Sequence, residues 1–224
     1  MKNIVISLGG SVILSNDIQP DYFMRLNSLL DSLTDKYKIF IVVGGGKTAR
    51  AYIKMGRDAG FDEKTLDELG IEATRINAVF LSKAIEESNK NIPLTTDEAK
   101  KIGNKIVIMG GTTPGHSTDM VGAELAEKTK AVKYIIATDV DGVYDKDPKK
   151  HSDAKKLEEV SVEELIEKQG VTWDAAGKNT VIDGPALKII HRARIPTFVL
   201  NGKKLDEIKQ VILGQSFNGT IIKI

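Results

Sequence analysis

The run Ile39 to Arg50, IFIVVGGGKTAR, constrains the fold more than any other stretch of this chain. Its first part is apolar, β-branched or aromatic, and does not alternate, which is the pattern of a strand buried on both faces in a parallel sheet. The strand ends at Gly44, Gly45 and Gly46. Glycines at such a point can take unusual φ/ψ values and let another group approach the backbone closely. From Lys47 onward KTARAYI reads as the opening of a helix, whose free N–H groups and positive dipole end favour an anion. Strand, glycine loop and helix start, in that order, suggest a phosphate site.

Two familiar motifs built from these parts are excluded. Gly46, Lys47 and Thr48 imitate the end of a P-loop, but the first glycine of that motif falls on Ile41. Gly44, Gly46 and Ala49 fit the Rossmann pattern, which also requires a second strand ending in an acid about 20 residues on. The segment there, GRDAGFDEKTLDELG, contains Asp67 with no apolar strand before it, so the dinucleotide reading fails on context.

A length of 224 residues is enough for one large α/β domain or two small ones, either with an ample core. The 32 basic and 31 acidic side chains nearly cancel. No overall field therefore favours nucleic acid or an anionic membrane, and any anion selectivity has to be local. Cysteine is absent, which excludes disulfides, thiolate catalysis and cysteine metal sites and fits a reducing cytoplasm. The apolar run in MKNIVISLGG is too short for a secretory signal, and no stretch approaches membrane-spanning length. Asn218-Gly219-Thr220 has glycosylation spacing but reads as a turn.

Further strands are expected at Ile4–Leu8, Ile106–Met109, Tyr134–Ala137, Thr197–Leu200 and Thr220–Lys223. Helical spacing covers Asp21–Leu33, Thr48–Asp58, Thr65–Glu87 as one helix or two, Thr96–Lys101, Met120–Lys128, Val162–Lys168, Pro185–Ala193 and Lys204–Leu213. Asp119 or Thr118 is expected to cap the Met120 helix, and Ser161 with Glu164 forms a capping box. Strands alternating with helices imply a mostly parallel sheet covered on both faces. Ligands of such sheets lie beyond the carboxyl ends of the strands, which places SLGGS, GGGKTAR, GGTTPGHSTD and TDVDGVYDKDP on one rim.

Phosphoryl transfer between two bound molecules suits such a rim, because positioning and fixed donors do most of that catalysis. A phosphate monoester acceptor is largely ionised near neutral pH, its second pKa being about 6, and needs no general base. That agrees with the lack of a Ser-His-Asp or paired-carboxylate constellation on these loops. Lys47 and Arg50 either neutralise phosphate oxygens or are solvated helix charges. Asp139, Asp141 and Gly142 do not make a calcium loop, since its glycine and glutamate positions hold Tyr144 and Lys150; Asp141-Gly142 alternatively forms a hairpin turn. Tyr144 either lines an adenine pocket or belongs to the core. His116 lies far in sequence from His151 and His191, and no protein-held metal cluster is expected.

ISLGGS, IVVGGGKTAR, IGNKIVIMGGTTPGHSTD and ATDVDGVYDKDPKK, together with LGIEATRINA, resemble the amino acid kinase superfamily and, within it, the archaeal type of uridylate kinase, in order from Ile4 to Thr220. The resemblance implies a single domain over 1–224, a three-layer α/β/α sandwich that moves the γ-phosphoryl group of ATP to UMP, with Mg2+ carried on ATP, as a cytoplasmic homohexamer. It also implies an N-terminal half mainly on the UMP side and a C-terminal half mainly on the ATP side. By motif, ATP phosphates would meet Ser7, Leu8, Gly9, Gly10, Ser11, Gly45 and Arg50, and the nucleoside would meet Thr138, Tyr144 and Asp147. UMP would meet Gly44 and the loop of Thr112, Thr113, Pro114, Gly115, His116, Ser117 and Thr118, with Asp67 at the ribose and Asp141 as the organising acid. Many superfamily members have a lysine where this chain has Ser7, and Lys47, helped by Arg50 or Lys188, is expected to replace that charge. The rival readings are a kinase of another small phosphate such as isopentenyl phosphate, and a non-catalytic nucleotide sensor or storage protein. Subunit pairing is expected through apolar positions of Asp21–Leu33 and Thr65–Glu87.

Overall fold

Lys2–Leu8 (β1) and Tyr37–Val43 (β2) lie side by side in parallel, with Ile4 opposite Ile39 and Leu8 opposite Val43. Their last five residues are all buried, as the unbroken apolar runs require of strands covered on both faces. The computed structural model describes residues 1–170 and 182–224. Between the two strands run a one-turn helix, α1 (Gly10–Ile13), and α2 (Tyr22–Asp31); β2 is followed by α3 (Gly46–Asp58), α4 (Glu63–Ala84) and α5 (Thr96–Lys101). Next come β3 (Ile106–Met109), α6 (Thr118–Thr129), β4 (Lys133–Thr138), β5 (Glu159–Ser161) and α7 (Val162–Gln169). The chain closes with α8 (Gly184–Ala193), β6 (Thr197–Asn201), α9 (Leu205–Leu213) and β7 (Gly219–Lys223).

The strands form one seven-stranded sheet in the order β3-β2-β1-β4-β6-β7-β5, parallel throughout except for the β6–β7 pair. Side-chain alternation divides the core into two layers. Ile4, Ile6 and Leu8 pack with α1, α2, α4 and α9, whereas Val5 packs with α5, α6, α7 and α8. This is the expected α/β/α sandwich with a mostly parallel sheet. The chain moves outward from β1 to β2 and β3, then returns to β4 on the other side of β1. A topological switch point therefore opens at the carboxyl ends of β1 and β4.

Of the two readings of the segment after Thr65, the single helix holds, as α4. Several other local expectations need correction. α3 starts at Gly46, two residues before the expected Thr48. α6 is capped by Ser117, whose Oγ accepts from the Met120 N–H at 2.9 Å, and not by Asp119 or Thr118. β5 has only three residues, too few for a periodic signal, and forms through parallel pairing with β7 at the sheet edge. The Ser161–Glu164 capping box is present as expected.

The glycines that end β1 and β2 are explained first by each other. A Cβ placed on Gly10 would lie 2.2 Å from the Gly46 nitrogen and 2.4 Å from the Gly44 oxygen. Gly46 has φ +61°, and a Cβ there would lie 2.4 Å from the Gly10 carbonyl carbon. Two loop backbones thus cross in direct contact, which no side chain of any size permits. Gly10→Ala is expected to lower stability by on the order of 1–3 kcal/mol by forcing these backbones apart. Gly103→Ala, where nothing lies within 4 Å of the added methyl, should stay within about 0.5 kcal/mol of the parent. Equal urea-denaturation midpoints for the two variants would disprove the crossing constraint.

Candidate active site

Because β1, β2, β3, β4 and β6 are parallel, the helices that follow them begin on one rim. Gly9 donates its N–H to the Ala137 carbonyl at 2.9 Å and Gly44 donates to the Leu8 carbonyl at 2.9 Å, which joins the loops after β1, β2 and β4. α1, α3, α6 and α9 all present their N-termini here, and the first N–H groups of each lack intrahelical acceptors. Such a rim attracts an anion with backbone dipoles before any side chain is counted.

α4 supports two of these loops from beneath. Asn77 is buried and donates through Nδ2 to the carbonyls of Gly44 at 2.8 Å and Gly45 at 3.3 Å. One turn earlier, Thr74 Oγ1 accepts from the Gly111 N–H at 2.5 Å. Asp67 Oδ2 accepts from the Gly115 N–H at 2.7 Å, so one oxygen of this carboxylate holds the loop. Arg75 Nη2 donates to the Thr112 carbonyl at 3.2 Å. The loop from Thr112 through Thr113, Pro114, Gly115, His116, Ser117 and Thr118 is thereby fixed against the glycines after β2.

Under the rim lies an acid pair that sequence reasoning missed. Ser7, buried at the end of β1, donates its hydroxyl to Asp119 Oδ1 at 2.7 Å, and Tyr134 donates to the Asp119 backbone carbonyl at 2.9 Å. Ser117 donates its hydroxyl to Asp183 Oδ2, while Asp183 Oδ1 caps α8 by accepting from the Ala186 N–H at 2.8 Å. Burial pushes the Asp119 carboxyl up to about 7, the nearby Asp183 charge adds to this, and the Ser7 hydrogen bond opposes it. Asp183 is raised as well, chiefly by burial, with the Ser117 and Ala186 bonds working against the shift.

The cations stand higher. Lys47, the second residue of α3, is exposed and donates to Asn16 Oδ1 at 3.3 Å. Arg50 is exposed one turn on, and Lys188 is exposed on α8. Beyond β4, Asp141 Oδ1 accepts from Asn201 Nδ2 and from Lys204 Nζ, each at 2.9 Å. Burial acts to raise the Asp141 carboxyl, but the Lys204 and Asn201 bonds and the charges of Lys204 and Lys156 outweigh it and hold it below the ordinary range. Thr138 accepts at its carbonyl from the Gly202 N–H at 2.8 Å. Half-buried Tyr144 bridges to Lys156, and Asp147 Oδ1 accepts from the Lys149 N–H at 2.9 Å. Ser7, Leu8, Gly9, Gly10 and Ser11, Gly44 and Gly45, and Thr138 thus line adjacent strand ends.

A model of the amino acid kinase family matches residues 2–201. The chain belongs to the amino acid kinase family. Uridylate kinase of Methanocaldococcus jannaschii is 44% identical over 225 residues, covering 98% of this chain and 99% of that protein. The crystal structure of uridylate kinase from Archaeoglobus fulgidus aligns over 100% of both chains with a TM-score of 0.85 at 41% identity. UMP kinase from Ureaplasma parvum aligns over 100% of this chain and 99% of its own at a TM-score of 0.77 and 25% identity.

For this amino acid kinase family member, Asn77, Thr74 and Arg75 were within a motif quoted for the family, yet nothing local marked them as loop supports. Asn201 ends β6 and Lys204 follows it, as the loop glycines follow β1 and β2, and that position was their only signal.

The raised Asp119 carboxyl fixes the sign of a pH effect. The folded protein keeps this proton up to about pH 7, whereas the unfolded chain loses it near 3.8. Stability from this group is therefore full at low pH and is lost as pH rises through that interval. Asp119→Asn removes the titration, so its melting temperature should fall less than the parent's between pH 5 and pH 7.5. Parallel melting profiles would contradict this assignment.

Proposed function

We propose that this chain is a uridylate kinase that reversibly transfers the γ-phosphoryl group of ATP to UMP, giving ADP and UDP. Its likeness in sequence and fold, over the whole chain, to uridylate kinase of Archaeoglobus fulgidus carries the reading. ATP phosphates lie against Ser7 to Ser11, Gly45 and Arg50, with the nucleoside at Thr138, Tyr144 and Asp147. UMP is held by Gly44 and the Thr112–Thr118 loop, and the free oxygen of Asp67 faces the ribose. The N-terminal half serves mainly UMP and the C-terminal half mainly ATP.

The rim sets the two phosphates against helix N-termini whose N–H groups need no reorganisation as charge spreads over the moving group. Because the UMP phosphate is already ionised, no side chain has to remove a proton, and Asp119 is free to keep its own. Lys47 and Arg50 are exposed and close to the α3 start, where they neutralise terminal oxygens. Lys204 adds a third cation and orients Asp141.

Magnesium fits these residues as an ion that arrives on ATP. Mg2+ keeps several waters and takes one or two carboxylates with substrate phosphates, and Asp141 has Oδ2 available while Oδ1 is bonded. No cluster of three or more metal-ligating side chains occurs among the described residues. When bound, the ion neutralises charge on the β- and γ-phosphates. These substrates place the work in the cytoplasm.

An ADP-release assay over UMP, CMP, dUMP, isopentenyl phosphate, aspartate and acetylglutamate should give the highest kcat/KM with UMP. Equal rates on UMP and an amino acid would refute the reading, and no turnover on any acceptor would favour a sensor. In the same assay Lys47→Ala should lower kcat by at least about tenfold, the scale of losing one electrostatic contact to the transition state; near-normal turnover would exclude Lys47 from that role.

The homohexamer is supported by an apolar outer face. Ile76 (62% exposed), Val79 and Phe80 form a stripe on α4, beside Met24 on α2, and Phe23 and Phe80 pack edge to face with centroids 5.0 Å apart. Charged substitution of this stripe, Ile76→Glu with Phe80→Asp, should yield a smaller species by light scattering. An unchanged hexamer would place the subunit contacts elsewhere.

A further inference from the structure

Among the described residues three buried side-chain polar atoms have no hydrogen-bond partner: Arg75 Nε, Thr112 Oγ1 and His116 Nδ1. They belong to one place. Thr112 and His116 sit on the loop after β3, where the His116 N–H bonds the Thr113 carbonyl at 3.2 Å. Arg75 reaches that loop from α4 through the Nη2 bond to Thr112 at 3.2 Å. Its Nη1 is held by Glu72 Oε1 at 2.6 Å. The guanidinium is therefore fixed at both prongs of its fork while the Nε–H is buried without an acceptor.

Unpaired buried donors and acceptors are costly and uncommon. Three around a single loop read as groups kept for a ligand that completes them. The chemistry of the set limits that ligand. Nε–H of arginine can only donate, the threonine hydroxyl both donates and accepts, and a neutral imidazole nitrogen does one or the other according to tautomer. A ligand edge facing Arg75 must therefore offer an acceptor. A uracil-type edge carries a carbonyl oxygen where cytosine carries an amino group, which is a donor. Against a fixed Nε–H the first pairs, and the second sets donor against donor.

We propose that Arg75 determines specificity for the acceptor base, its Nε–H donating to the carbonyl oxygen of a uracil-type pyrimidine and disfavouring one that presents an amino group there. This rests on the uridylate kinase reading above and goes beyond it by naming the group that tells UMP from CMP. Lysine at this position keeps the positive charge and can still bond the Thr112 carbonyl, but has no planar fork and no Nε–H.

The test measures kcat/KM for UMP and for CMP in the parent, Arg75→Lys and Arg75→Met, with melting temperatures alongside. A site built around a hydrogen bond loses heavily when that bond is deleted, so both variants should lower kcat/KM for UMP by at least about tenfold, mainly through KM. CMP should change by less than about threefold, and the KM for ATP should hold. Should Arg75→Met fail to fold, Arg75→Lys decides alone. An equal fall for UMP and CMP, or an Arg75→Lys protein with the parent's preference, overturns the proposal and leaves the uridylate kinase reading standing. A parent protein that phosphorylates neither nucleotide rejects that reading and this proposal together.

Discussion

The contact between the backbones of Gly10 and Gly46 sets the dimensions of everything at the rim. Parallel pairing of β1 and β2 brings their ends level, with Leu8 opposite Val43, so the two chains must turn in the same small space. They do so only because neither carries a side chain at the crossing. From this one point α1 and α3 diverge, and their unsatisfied N–H groups start a few ångströms apart. A bulkier crossing would separate the two helix starts, and separated dipoles no longer act on one point.

Charge around the crossing is arranged by depth. An acid close to phosphates is unfavourable when ionised and unpaired, and the chain solves this differently at its two acidic positions. Deep at the α6 start, burial raises both Asp119 and Asp183 against the Ser7 and Ser117 hydrogen bonds, the Asp183 charge raises Asp119 further, and Asp119 keeps its proton up to about pH 7. Nearer solvent, Lys204 and Asn201 win over burial at Asp141, which stays ionised. The first arrangement yields an acid, Asp119, that holds its proton to about pH 7, the second a fixed negative group beside a fixed positive one.

Much of this was legible in the sequence, and the boundary follows physical lines. Glycine-ended apolar runs announced β1, β2 and β3, since burial on both faces leaves a continuous signal, and the right-handed alternation of strands and helices put their ends on one side. Contacts between polar residues far apart in the chain left no such trace. Ser7 and Asp119 are separated by 112 positions, and Asn77 meets Gly44 across 33. Periodicity tells that Asn77 is on the buried face of α4, not that two loop carbonyls lie opposite. The cap of α6 shows the same limit. Ser117, Thr118 and Asp119 are all good capping residues in a row, and the choice fell to Ser117 because Asp119 is engaged by a strand that local rules cannot see.

Position 7 ties these strands together. In this fold Ser7 meets Asp119, with the Asp183 charge near enough to act on that acid. A lysine would reach an ionised acid and hold it ionised by attraction. A serine offers one hydrogen bond and no charge, which is too little to offset burial, so the acid keeps its proton to near neutrality. The absence of a cation at position 7 and the raised Asp119 carboxyl are thus two sides of one choice of residue. The cations Lys47, Arg50 and Lys204 stand at solvent level instead, so positive charge on this rim belongs to exposed side chains rather than to a buried cation at position 7.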